Sequence, residues 1–172
     1  AIVFCVGRVR MARKMKLIEL INGTPIPVAY KIAFLTNFYR EPLLRRMELE
    51  HGIIQPEWTV LICLVHEDGL NPRDICEITE QQRNTVSRAV ASLEAKGLIR
   101  REDDPDDARR TLLFLTPAGR RTYETIMPPF VEGEQRLIDC LDARERTTLE
   151  ALLENTCRAV VDWTPYRFVL HT

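Results

Sequence analysis

A chain of 172 residues can bury one substantial core and is too short for two comfortable domains. Its net charge of -1, with 28% charged residues, gives no overall vote for nucleic acid or an acidic partner, so any such partner must show itself in local clustering. Five cysteines, Cys5, Cys63, Cys76, Cys140 and Cys157, are odd in number and scattered among apolar helical patterns, which argues against a disulfide framework and for a reducing compartment.

The opening stretch AIVFCVGRVRMARKMK sets basic residues around a very short apolar patch, without the longer apolar core of a signal peptide. Met11 and Met15 suggest that the residues before them are an extended start, and residues 1–26 are expected to form a disordered or extended arm. Nowhere does an apolar run approach the roughly 20 residues that span a bilayer, so no membrane partner and a cytoplasmic location are expected.

From Pro27 to Glu50, Val28, Ile32, Leu35, Tyr39, Leu43 and Met47 recur at the helical period, with Pro42 a candidate kink. A second, largely apolar helix follows in QPEWTVLICLVHEDG, where Pro56 suits the first turn and Gln55 is a poor cap. NPRDICEI reads as a short third helix capped by Asn71. After a turn around TEQ comes QRNTVSRAVASLEAKG, with Val86, Val90 and Leu93 on one face and Gly97 at its end.

The stretch GLIRREDDPDDARRTLLFLTPAG then sets Thr111, Leu113 and Leu115 against Leu112 and Phe114, the period-2 pattern of a strand, after the short apolar-then-basic strand GLIRR. It is a β-hairpin with a charged tip. Thr116 and Pro117 restart a helix that Pro128 and Pro129 should break or kink before FVEGEQRLIDCL. A last helix opens with Asp142 and Glu145 at capping-box spacing and carries Leu149, Leu152, Leu153, Thr156, Val160 and Trp163 along one side. With no repeats or glycine-rich linkers, residues 27–172 read as a single domain.

Short helix, tight turn, longer helix with a polar outer face, then a two-stranded hairpin: this order is a winged helix-turn-helix, spanning about 56–116. The fold class is mainly α with a small antiparallel β wing. A helix fits the major groove, where arginine forks onto guanine and asparagine or glutamine onto adenine. Gln82, Arg83, Asn84, Thr85, Ser87 and Arg88 supply those side chains at the front of the fourth helix. Between Gln81 and Arg101 the basic residues Arg83, Arg88, Lys96, Arg100 and Arg101 stand against the single acid Glu94, a local charge of +4.

Enzyme chemistry finds little support. His51, His66 and His171 have no nucleophile motif beside them, and no phosphate-binding glycine loop occurs. Cys63 and His66 lie one helical turn apart, yet two ligands are too few for a closed zinc site. The chain is expected not to be an enzyme and to carry no cofactor or metal.

NTVSRAVASLEAKGLIRREDDPDDARRTLLFLTPAG resembles the recognition helix and wing of the MarR-type transcription regulators, and PEWTVLICL is similar to their second helix. The resemblance covers roughly residues 28–163. It implies a homodimer, repressor function on a pseudo-palindromic operator in double-stranded DNA, and dimerisation helices at about 27–50 and 117–163. Asp107 and Arg109 match the family's Asp-x-Arg, which implies an arginine at the minor groove and an aspartate orienting a neighbouring basic side chain. The family also implies release by a small aromatic or organic-acid effector, for which His51, Trp58 and Arg73 are candidate contacts by their order along the chain. Two alternatives stand beside this reading: a thiol-based redox-sensing regulator, and a winged-helix protein-interaction module without DNA binding.

Overall fold

The computed structural model describes residues 16–107 and 109–161. In chain order they form α1 (16–22), α2 (Pro27–His51), α3 (Gln55–His66), α4 (Pro72–Thr79), α5 (Arg83–Ala95), β1 (Ile99–Asp103), β2 (Thr111–Leu115), α6 (Pro117–Ile138) and α7 (Ala143–Val161). The mainly helical fold with one two-stranded antiparallel sheet is the one expected.

The chain divides into two compact units, Ala1–Val131 and Glu132–Thr172, at a point inside α6. The division follows from where apolar burial stops. Phe130 is the last buried large apolar side chain among the described residues.

Part of the expected arm is ordered. Residues 16–22 are helical because Leu17, Ile18 and Ile21 recur at helical spacing, and Ile21 is buried. Residues 1–15 lie outside the described part. α2 runs through Pro42 without interruption, and its two halves differ. Tyr39, Leu43, Leu44 and Met47 pack on the core, whereas Val28, Ile32 and Leu35 are exposed.

The core of the first unit is built where α3, α4 and α5 meet the wing. Val60, Leu61 and Leu64 from α3, Ile75 from α4 and Val86, Val90 and Leu93 from α5 are fully enclosed, so the predicted apolar face of α5 is its inner face. α4 starts at Asn71, whose Oδ1 accepts from the backbone N–H groups of Arg73 (2.8 Å) and Asp74 (3.1 Å), while Asp74 Oδ2 accepts from Asn71 N–H (3.0 Å). α3 starts one residue earlier than Pro56 suggested, with Ile54 as cap. An isoleucine has no oxygen to offer, and the local capping comes from Glu57, whose Oε2 accepts from Ile54 N–H at 2.9 Å.

The hairpin pairs Ile99 with Leu115 and Arg101 with Leu113. Leu113 and Leu115 point inward, as the alternation predicts. The wing is fastened at its root twice over: Leu70 bridges Leu113, and Asp68 Oδ1 accepts from Leu115 N–H at 2.7 Å. Thr116 then opens α6 by accepting from Gly119 N–H (3.0 Å). A β-carbon on Gly119 would sit 2.0 Å from the Leu98 carbonyl oxygen, so the helix approaches the wing root as closely as only glycine permits.

Pro128 and Pro129 do not break α6, contrary to expectation. Each removes an internal hydrogen bond, but Ile126 and Phe130, buried on either side, hold the helix against the core and offset that loss. In the second unit the expected capping box is present: Glu145 N–H donates to Asp142 Oδ1 and Asp142 N–H to Glu145 Oε2, both at 2.9 Å. Leu149, Leu152, Leu153 and Val160 are exposed along α7, and Trp163 lies outside the described residues.

Candidate nucleic-acid interface

α5 presents its first turns to solvent. With Val86, Ala89, Val90 and Leu93 turned inward, the remaining positions must face out, and Gln82, Arg83, Asn84, Ser87 and Arg88 are exposed. Thr85 is half-buried at their edge. Gln82 caps the helix through its backbone alone, its carbonyl accepting from the N–H groups of Thr85 (2.9 Å) and Val86 (3.1 Å). No side chain caps the first turn, which leaves the N–H groups of Arg83 and Asn84 open to a phosphate oxygen.

Folding cancels half of the local charge of +4 by bringing in Glu57 and Glu102, which the count left out. Lys96 donates from Nζ to both oxygens of the buried Glu57, at 2.7 and 2.8 Å. Arg101 Nε meets Glu94 Oε2 at 2.8 Å, and Arg100 pairs with Glu102 while its guanidinium lies over the Phe114 ring, 4.7 Å from the centroid. Arg83 and Arg88 are what remains. Among the described residues neither meets an acid, and Arg88 Nε only reaches back to the Asn84 carbonyl at 3.2 Å.

The tip of the wing is a set of turns closed by its own acids. Asp104 N–H donates to the Arg110 carbonyl (3.0 Å) and Arg110 N–H to the Asp107 carbonyl (2.8 Å). Asp107 Oδ1 accepts from the backbone N–H of Arg109 at 3.0 Å. In this structure Asp107 therefore shapes the backbone under Arg109 instead of holding a basic side chain, and it is Asp104 that pairs with one, Arg110, at 3.7 Å. The Arg109 side chain is exposed with no acid partner among the described residues, in a groove shared with Arg73, Arg101, Arg110 and Asp107.

The three effector candidates are not brought together. Trp58 is buried, stacked on Tyr123 and Phe130. His51 is exposed at the end of α2, beside a narrow cleft lined by Met47, Ile126 and Phe130. Arg73 stands in the wing groove, tied to Glu77 at 2.8 Å.

Sequence reasoning missed Glu57, an acid in an otherwise apolar helix and the partner of a lysine 39 residues away. Its one sequence signal is its place as the third residue of a helix, where a glutamate can accept from the cap N–H even when the cap itself is apolar. Burial would raise its pKa, but hydrogen bonds from Lys96, Ser92 and the Ile54 backbone together hold it below the ordinary glutamate value.

Comparison with known proteins matches the same region. A model of the MarR family fits residues 51–110. Among solved structures, a MarR-family transcriptional regulator from Silicibacter pomeroyi is 26% identical, with a TM-score of 0.69 over 82% of this chain and 93% of that one. The PcaV transcriptional regulator of Streptomyces coelicolor, solved in complex with its natural ligand, is 25% identical, with a TM-score of 0.63 over 81% of this chain and 96% of that one. A cysteine-to-serine mutant of MarR from E. coli, complexed with operator DNA, shares the fold at 23% identity, with a TM-score of 0.66 over 76% of this chain and 94% of that one. The region matched by the MarR-family model is the one that carries the winged helix and the outward-facing α5, and the fold is similar to that of MarR-family transcriptional regulators.

Proposed function

We propose that the protein is a homodimeric repressor that sits on a pseudo-palindromic operator and leaves it when a small organic acid binds. The observation that carries the DNA half is the solvent-facing front of α5, where Arg83 has no acidic partner among the described residues and stands beside Gln82, Asn84, Ser87 and Arg88. A bidentate arginine is the commonest specific contact to guanine in the major groove, and Thr85 stands at the edge of the same face. Arg109, free above a backbone shaped by Asp107, lies at the minor groove or a phosphate and positions the complex without reading bases.

Dimerisation is supported in each unit separately. The first half of α2 leaves Val28, Ile32 and Leu35 in solvent, and α7 leaves Leu149, Leu152, Leu153 and Val160 there. Exposed stripes of this kind favour aggregation unless covered, and a second copy related by a two-fold axis covers them while fixing the spacing of two recognition helices. A ligand that prefers another spacing weakens DNA binding in proportion to that preference.

Burial pushes the Cys63 thiol up, away from the reactive thiolate, which argues against Cys63 as a sensor, whereas Cys140 and Cys157 are exposed and are the thiols that the peroxide control addresses. Of the effector candidates, His51 and Arg73 are accessible, whereas the Trp58 ring is committed to packing.

The test is selection of a duplex from a randomised library, followed by sedimentation of the free protein and titration of aromatic acids, with peroxide as control, against the complex. An inverted-repeat duplex, a dimer at micromolar concentration and release by an acid are expected. Selection of no duplex would favour the interaction-module reading. Release by peroxide alone, lost in a cysteine-free variant, would establish the thiol reading instead.

A further inference from the structure

Lys96 lies directly after the recognition helix and is exposed along part of its length, so in sequence it counts as one more cation for DNA. Its ammonium group is used otherwise. Nζ donates to the Gly52 carbonyl at 2.7 Å and to both carboxylate oxygens of Glu57 at 2.7 and 2.8 Å. Glu57, itself 2% exposed at its side chain, accepts from Ile54 N–H at 2.9 Å. One ion pair thus holds both ends of the turn 52–54, the whole connection between α2 and α3, and ties that turn to the end of α5. Gly52 is in the left-handed region at φ 63°, the conformation in which α2 terminates, so the carbonyl that Lys96 holds belongs to the residue that ends the long helix.

We infer that Lys96 and Glu57 are positioning residues for operator binding: the pair fixes the recognition helix α5 relative to the end of α2. The inference rests on the operator reading above. A salt bridge in solvent would be too soft for this, because water competes for both partners. Here the Glu57 carboxylate is enclosed, so water competes only at the part-exposed Lys96, and four hydrogen bonds among Lys96, Glu57, Gly52 and Ile54 fix the geometry.

Lys96→Met alone would leave Glu57 buried without its cation, so the test changes both partners. Glu57→Gln keeps an acceptor for Ile54 N–H, and combined with Lys96→Met it removes the pair and its charge together. The probe is the duplex that wild-type protein selects from a randomised library. Glu57→Gln/Lys96→Met is expected to bind it about tenfold more weakly, with the same base preference, the same slope of affinity against salt and a melting temperature within a few degrees of wild type. Lys96→Arg, which can still donate to Glu57, is expected to recover most of the affinity.

Unchanged affinity in the double variant would overturn the inference. A salt slope shallower by about one would overturn it too, by showing that Lys96 touches a phosphate. Amide exchange across residues 52–54 and α5 separates this inference from the operator reading. Should wild-type protein select no duplex, faster exchange in both segments of the double variant still supports the joint, and unchanged exchange refutes it.

Discussion

The indole of Trp58 stacks on the ring of Phe130, centroids 5.5 Å apart and planes inclined by 21°. Tyr123 takes the other contact at 5.3 Å, and the Tyr39 hydroxyl donates to the Phe130 carbonyl at 2.9 Å, so one aromatic group joins α2, α3 and α6. Trp58→Ala should cost about 3–5 kcal/mol, since a large buried ring leaves a cavity that neighbours on three helices cannot close. Urea unfolding checks this, with Trp58→Phe expected to lose clearly less. A Trp58→Ala variant of unchanged stability would return Trp58 to the list of effector contacts.

Arg83 and Arg101 are both exposed arginines, yet they should behave differently. Arg83 has no acid to leave and its full charge is available to DNA, whereas Arg101 is held by Glu94. Arg83→Ala should cost on the order of 1–3 kcal/mol on the selected duplex and relax preference at one base pair. Arg101→Ala should cost much less. Equal losses at the two positions, measured by fluorescence anisotropy, would show that the ion pair opens on binding.

Arg109→Ala should weaken all duplexes alike and flatten the salt slope by about one, as expected for one lost phosphate contact. Selective loss at a single base pair would make the wing a reader of sequence.

Glu57 predicts an acid limb to stability. Its folded pKa lies below the unfolded value because the hydrogen bonds from Lys96, Ser92 and Ile54 outweigh the penalty of burial. A depressed carboxyl contributes its stability in full above the unfolded pKa, about 4.3, and loses it as pH falls from there through the lower folded value. The stability difference between wild type and Glu57→Gln/Lys96→Met should therefore be flat above pH 5 and change only below about pH 4. A difference that titrates near neutrality would place the responsible group elsewhere.

What the sequence disclosed was whatever is local. The inward face of α5, the alternation of Leu113 and Leu115, the Asn71 cap and the Asp142–Glu145 box each depend on residues within a turn or a strand of one another, and each is present. What it concealed depends on distance. The local charge of +4 took no account of Glu57, which is brought to Lys96 by folding, or of Glu102, which turns onto Arg100. Pro128 and Pro129 read as breakers because backbone chemistry says so, and tertiary burial of Ile126 and Phe130 overrules it. The outward positions of α5 were legible for the same reason as its inner face, since one periodicity fixes both.

The self-neutralised wing has a consequence for how the protein finds its target. Attraction to arbitrary DNA is set by the number of cations that can displace counterions, and here Arg100, Arg101, Arg110 and Lys96 already have acidic companions of their own. If the protein acts on an operator as proposed, residence on random sequence should be correspondingly brief, with a larger share of the molecules in solution between encounters.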